Sequence, residues 1–173
     1  MGYDMKSTGI VRKVDELGRI VLPIELRRTL DIAERDEMEI FMDYKELYEK
    51  ALSVAKNAYA PYSNFHVGAA LLLPDGTVQT GINIENRSFG ATNCAERTAL
   101  FSAIEKGYKT FTALAVATPD ADYPVAPCGI CRQVLTEFAP GDTQVIFGNT
   151  YENRVETTLA ELYTFDSLHE LGK

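Results

Sequence analysis

Hydrophobic positions along this chain change their period near residue 44. Before it, Ile10-Val11-Arg12-Lys13-Val14 and Ile20-Val21-Leu22 are short β-branched runs joined by Asp15-Glu16-Leu17-Gly18, which predicts two strands and a turn. Pro23 opens a short predicted helix through Leu30, with proline at the first helical position. Residues 38–42 read as a further strand. After residue 44, Leu47, Ala51, Val54, Ala55 and Ala58 recur at three- and four-residue spacing, which predicts a helix from Tyr44 that Pro61 stops. Strands follow at 67–73 and 77–83 across the turn Pro74-Asp75-Gly76. A helix is expected from Cys94 to about Lys106, a buried strand at 111–118, a helix at 128–138 and a strand at 143–147. Helices alternating with short apolar strands predict an α/β protein whose main part is an α/β/α layered domain.

Composition sharpens this division. The 173 residues are 46% hydrophobic, enough for a core, and no run approaches the roughly 18 apolar residues of a membrane helix. We expect a first domain over 1–43 and a second over 44–173. Forty-odd residues bury too little surface to stand alone, so the first piece is expected to form an intertwined dimer or lean on its neighbour. The net charge of −8 is uneven. Residues 43–173 carry ten basic and sixteen acidic side chains, which argues against a polynucleotide substrate there but not against a small neutral one. Residues 1–28 hold six basic against four acidic side chains, and 29–42 one against five, so the basic groups are segregated. Charge throughout the first 30 residues shows no signal peptide and points to the cytoplasm.

The three cysteines change the picture most. They stand in Cys94-Ala95-Glu96 and in Pro127-Cys128-Gly129-Ile130-Cys131. An odd count without a secretion signal favours metal binding over disulfides. Three thiolates with an open fourth position describe a catalytic zinc rather than a structural one. Cys94 and Cys128 each fall at a predicted helix start, where the dipole favours negative charge and exposed N–H groups can bond the sulfurs. Glu96 is a proton shuttle beside a zinc whose Lewis acidity three thiolates weaken. Arg97 and Arg132 lie beside the ligands, and either can donate to the thiolates; Arg132 reads equally as a surface residue. A buried zinc knuckle closed by His66 or His169 is the competing reading. A ligand-x-Glu element followed by Pro-Cys-x-x-Cys matches the zinc nucleobase-deaminase signature in its three-cysteine form.

Residues 44–162 resemble the small homotetrameric cytidine deaminases. The carrying segments are Ala60-Pro61-Tyr62-Ser63-Asn64-Phe65-His66-Val67-Gly68-Ala69-Ala70, Gly81-Ile82-Asn83-Ile84-Glu85-Asn86, Asn93-Cys94-Ala95-Glu96-Arg97-Thr98-Ala99 and Ala126-Pro127-Cys128-Gly129-Ile130-Cys131-Arg132-Gln133. The resemblance implies one Zn2+ per subunit on Cys94, Cys128 and Cys131, with Glu96 catalytic. It implies that Phe65 packs on the pyrimidine, Asn83 and Glu85 bind the ribose 3′-hydroxyl, Ala95 contacts the base through its backbone, and Arg97 hydrogen-bonds the thiolates. From the residues alone, plain core is the alternative for Phe65, and one solvated face of a strand the alternative for Asn83 with Glu85. The tail departs from the family: its usual Leu-Leu-Pro element is replaced by Glu161-Leu162-Tyr163-Thr164-Phe165, with Phe165 a candidate for the aromatic that enters a neighbouring site. Arg87 and Phe89 stand where a small residue and a tyrosine are frequent.

Residues 5–42 resemble the DNA-binding domain of the AbrB and SpoVT transition-state regulators, through the segments 5–19 and Pro23-Ile24-Glu25-Leu26-Arg27-Arg28. That resemblance implies a small swapped-hairpin β domain contacting double-stranded DNA through Arg12, Lys13, Arg19, Arg27 and Arg28. Three readings follow: a zinc-dependent cytidine or deoxycytidine deaminase with a fused DNA-binding module, a nucleoside-sensing regulator on a deaminase fold, or a deaminase whose first domain only aids assembly.

Overall fold

A computed structural model of the chain describes residues 23–29, 33 and 44–165. The chain divides into two units, Met1–Phe41 and Met42–Lys173. In the first, helix α1 spans Ile24–Thr29. Pro23 stands just before it, its carbonyl accepting from Arg27 N–H at 3.0 Å, so the proline precedes the first helical residue instead of occupying it. The strands expected at 10–14, 20–22 and 38–42, the turn between the first two, and the swapped-hairpin arrangement lie outside the described residues.

The second unit is a mixed five-stranded sheet covered by helices on both faces. Its elements are α2 (Lys45–Ala55), β1 (Gly68–Leu72), β2 (Val78–Ile82), a 3₁₀ turn (Phe89–Ala91), α3 (Ala95–Glu105), β3 (Ala113–Ala117), α4 (Gly129–Thr136), β4 (Gln144–Gly148), β5 (Arg154–Thr158) and α5 (Leu159–Leu162). Strand order is β2-β1-β3-β4-β5, with β3 and β4 parallel and the other pairs antiparallel. Ala70 pairs with Thr80 on one side and Ala115 on the other.

Alternation along the strands builds two cores. Ala70, Ala113, Ala115, Ala117 and Ile146 pack with Leu47, Tyr48 and Ala51 of α2. Leu71, Leu114, Val116, Val145 and Phe147 pack with Ala99, Leu100 and Ala103 of α3, Leu135 of α4 and Leu159 of α5. This is the expected α/β/α layering, since successive strand residues face opposite sides. Both helix approaches need glycine. A Cβ at Gly68 would run into Ala51 O of α2, and one at Gly81 into Ala95 O and Ala99 N of α3.

Three features differ from expectation. Helix α2 ends at Ala55, before Ala58 and well short of Pro61, because tighter turns from Asn57 to Val54 O and Ala58 to Ala55 O close it. Tyr59 then pairs with the strand beyond β2, donating to Asn83 O and accepting from Glu85 N–H. Tyr48, rather than Val54, completes the buried face, and its hydroxyl donates to Gly148 O at 3.0 Å. The hairpin partner β5 and helix α5 were not expected. Arg154-Val155-Glu156-Thr157-Thr158 is a polar edge strand, half-buried to exposed, without an apolar run. Helix α5 does carry a sequence signal, because Thr158 and Glu161 bond reciprocally as a capping box.

Candidate active site

One end of the sheet gathers the chemistry. The start of β1, the end of β2 and the end of β3 lie side by side, with Gly68 opposite both Ile82 and Ala117. Beyond them the chain turns into α3 and α4, whose first residues are capped by Cys94 and Cys128 in extended conformation. Neither thiol accepts a capping hydrogen bond from a backbone N–H of its own helix, contrary to expectation. The sulfurs turn toward each other instead. Cys94 Sγ lies 3.7 Å from Cys128 Sγ, and all three cysteine sulfurs fall within 4.8 Å of one another. A tetrahedral zinc with bonds of about 2.3 Å places its sulfurs about 3.8 Å apart. Soft donors at this spacing fit one zinc, with Cys94, Cys128 and Cys131 as its ligands. His66 is not part of the group: its Nδ1 meets Asp120 Oδ2 at 2.7 Å. His169, the other alternative ligand, lies outside the described residues.

The thiols are electrostatically unequal. Cys94 is held down to about 5, chiefly by the hydrogen bond from the Cys131 thiol and then by Arg97 and Cys128, against the effect of burial. Cys131 is pushed up by its donation to Cys94 and by burial. Metal capture must therefore expel protons and weakens in acid. Arg97 Nη2 reaches Cys94 Sγ at 3.5 Å and Thr92 O at 3.4 Å. Burial opposes its charge, but the sulfurs of Cys94 and Cys131 hold its pKa above the ordinary value. Arg132 behaves otherwise. Its Nε donates to Pro127 O at 2.7 Å and its Nη1 to Leu162 O at 3.1 Å, so it braces α4 against the end of α5 and makes no bond to sulfur.

A cavity of about 430 Å³ opens beside the sulfurs and brings together Phe65, Asn83, Glu85, Cys94, Ala95, Glu96 and Cys128. Glu96, in the first turn of α3, is only 3% exposed. Burial raises its carboxyl to about 7, and the Cys94 charge adds to the rise. Phe65 belongs to neither core cluster and forms cavity wall. Asn83 and Glu85 share the cavity but also hold its frame. Asn83 Nδ2 donates to Phe65 O and its Oδ1 accepts from Val67 N–H, both at 2.8 Å. The Glu85 carboxylate accepts from Tyr62 N–H at 2.9 Å and from the Ser63 backbone and hydroxyl. Each side chain retains hydrogen-bonding capacity toward the cavity, since an amide has four sites and a carboxylate about four lone pairs. Val116, Thr118 and Val125 also line the wall, and sequence reading did not single them out. Among the predicted DNA-contact residues, Arg27 is half-buried and Arg28 exposed on α1; Arg12, Lys13 and Arg19 lie outside the described residues.

Comparisons with known proteins agree with this geometry. Residues 42–149 match the model of the cytidine and deoxycytidylate deaminase zinc-binding region. Residues 11–47 match the model of the antidote-toxin recognition MazE bacterial antitoxins. The chain is 51% identical over 121 residues to a cytidine deaminase of Halalkalibacterium halodurans, covering 70% of this chain and 91% of that one. It is 46% identical to the cytidine deaminase of Burkholderia pseudomallei, whose crystal structure superposes with a TM-score of 0.67 over 70% of this chain and 96% of that one. Over 46 residues, 27% of this chain, it is 70% identical to the transition state regulatory protein AbrB of Bacillus subtilis, of which it covers 48%.

Proposed function

The chain belongs to the zinc-binding cytidine and deoxycytidylate deaminase family, and on that premise we propose that it hydrolyses cytidine or deoxycytidine to the uridine nucleoside and ammonia. The observation that carries the reading is a cluster of three thiols, two of which, Cys94 and Cys128, line one cavity of about 430 Å³ together with the buried Glu96. Cys94, Cys128 and Cys131 would hold the zinc, which when bound would supply Lewis-acid activation of a water. Arg97 stabilises the thiolate charge. Glu96 takes one proton from the water and delivers it to the ring nitrogen, then takes the second from the new C4 hydroxyl and passes it to the amine, which leaves as ammonia while the carbonyl forms. Phe65 stacks on the pyrimidine, Ala95 meets the base through its backbone, and Asn83 with Glu85 binds the ribose 3′-hydroxyl. Burial of Glu96 keeps bulk water from competing for the proton.

The cavity also selects charge. Glu85 and Glu96 line it, and among the described residues no lysine or arginine does. A 5′-phosphate would meet carboxylates without a cationic partner, so the substrate is the neutral nucleoside and not the nucleotide. Purified zinc-loaded chain should lower the ultraviolet absorbance of cytidine or deoxycytidine as the uridine product forms. No turnover of either, or faster turnover of deoxycytidylate, would overturn the assignment.

The wider assembly belongs to the same proposal. Residues 44–173 form the catalytic domain of a homotetramer, which carries two amino-terminal dimers built from residues 1–43. Those dimers bind double-stranded DNA through Arg12, Lys13, Arg19, Arg27 and Arg28. The 70% identity to AbrB over this stretch supports the reading. The protein works in the cytoplasm; no helix among the described residues is long and apolar enough to cross a membrane. A gel shift that weakens with salt, and disappears when Arg12, Arg27 and Arg28 are replaced together, is expected. Sedimentation as a monomer or simple dimer would remove the tetramer.

A further inference from the structure

Phe65-His66-Val67 is a stretch whose three backbone N–H groups are each bonded by a side chain. Phe65 N–H donates to Ser63 Oγ at 3.0 Å, and that hydroxyl donates to Glu85. Val67 N–H donates to Asn83 Oδ1 at 2.8 Å. His66 N–H donates to Asp120 Oδ2 at 2.6 Å, and the His66 ring meets the same oxygen through Nδ1 at 2.7 Å. The stretch is entered through Asn64 at φ 55°, a left-handed conformation that asparagine tolerates better than most residues.

These anchors are not equivalent. Ser63 and Asn83 belong to the segments that flank β1 and β2. Asp120 comes from the far side, in the 118–128 connection that leads from β3 to Cys128. A tight turn presents it: Thr118 N–H donates to Gly148 O at 2.9 Å and Ala121 N–H to Thr118 O at 3.1 Å. Asp120 itself does not line the cavity. Its bond to His66 nonetheless ties the segment bearing the aromatic wall to the segment bearing a metal ligand.

We propose that Asp120 is a positioning residue: by holding the His66 backbone and ring it sets the distance between the Phe65 ring and the thiol cluster, and so the seat of the pyrimidine. The inference rests on the deaminase reading for its substrate, but the geometry it describes does not. The pair is well placed to act on binding and not on proton transfer, because neither member touches Glu96 or a sulfur by any bond in the structure. An amide at position 120 keeps an oxygen for the His66 N–H and loses the charge.

The test compares wild type, Asp120→Ala and Asp120→Asn in the full chain with zinc bound. With Asp120→Ala, the KM for cytidine and the inhibition constant of uridine should both rise about five- to tenfold, part of the stacking contribution, while kcat stays within about twofold. Zinc content should not change, and Asp120→Asn should recover most of the loss. Unchanged KM, a joint fall of kcat and zinc content, or an asparagine variant no better than alanine would overturn the proposal. A second measurement is independent of turnover. The chain has no tryptophan, so Phe65→Trp is a single reporter. Adding Asp120→Ala to it should increase acrylamide quenching of that tryptophan, and unchanged quenching would overturn the positioning role. Loss of quenching protection in the Phe65→Trp background, with no cytidine turnover by the zinc-loaded wild type, would sink the deaminase reading and leave the positioning role standing.

Discussion

The two faces of the sheet come from the same strands, yet they hold their helices differently. On the α2 face, Ala70, Ala113, Ala115 and Ala117 offer only methyl groups beside Ile146, and Gly68 lets the helix settle low, as Gly81 does for α3 on the other face. On the α3 and α4 face, Leu71, Leu114, Val116, Val145 and Phe147 make a thicker core. Two helices begin over the end of that face, and their first residues carry the thiols and Glu96. The small-residue face gives the sheet a close backing. The large-residue face leaves room at its edge for a cavity while fixing the helix starts around it. Rigidity and chemistry are thus assigned to opposite sides of one β layer.

The comparison breaks most sharply at Glu96. Glu96→Ala should lower kcat by about a thousandfold with zinc stoichiometry retained, read by absorbance and metal analysis. Retained turnover would remove Glu96 from the mechanism. The glycines test the two faces against each other. Gly68→Ala and Gly81→Ala should each cost about 2 kcal/mol of stability, because a methyl group drives into helix backbone in both cases. Their effects on activity should part. Gly81→Ala displaces Ala95 and Ala99 in the helix that bears Glu96, so kcat should fall by about tenfold or more. Gly68→Ala meets α2, so the folded fraction should keep its kcat. Equal losses of activity would erase the distinction between backing and chemistry.

Two smaller effects sharpen it. Phe65→Ala should raise the KM for cytidine about tenfold, as loss of base stacking predicts, with stability little changed because Phe65 lies outside both cores. Acid should act across the unit. Hydrogen bonds hold Asp75, Glu85, Asp120 and Glu161 below their ordinary carboxylate values, chiefly from Thr77, Ser63, the His66 backbone and Thr157 respectively. A lowered folded-state pKa stabilises the fold above the ordinary value and loses that contribution as pH falls through the lowered one. The melting temperature should therefore hold down to about pH 5 and decline below about pH 4. A flat profile to pH 3 would show these bonds to be inconsequential.

Much of the site was legible because its chemistry is local. Cys128 and Cys131 are three apart at a helix start, so spacing alone puts them on one face, and Glu96 stands only two residues from Cys94, near in space whatever the fold. The central strands were legible from apolar runs. Strand β5 was not, since a polar edge strand owes its conformation to its β4 neighbour. The early end of α2 was hidden for a similar reason: Tyr59 is drawn off by pairing at 83–85. Arg132 resembled a thiolate partner by adjacency, but the return of α5 supplied Leu162 O as its acceptor.

By itself, the sequence determined the alternation that makes an α/β/α sandwich, the ligand set for one zinc, and the split in character near residue 44. These are matters of period and short spacing, which the chain expresses within a turn or two of backbone. Only the tertiary structure decided that Asn83 and Glu85 frame the cavity as well as line it, that Arg97 reaches sulfur while Arg132 reaches backbone, and that Asp120 grips His66 across 54 residues of chain. A polar side chain takes whichever complementary group the fold brings within about 3 Å, and over such separations sequence spacing carries no information about which group that will be.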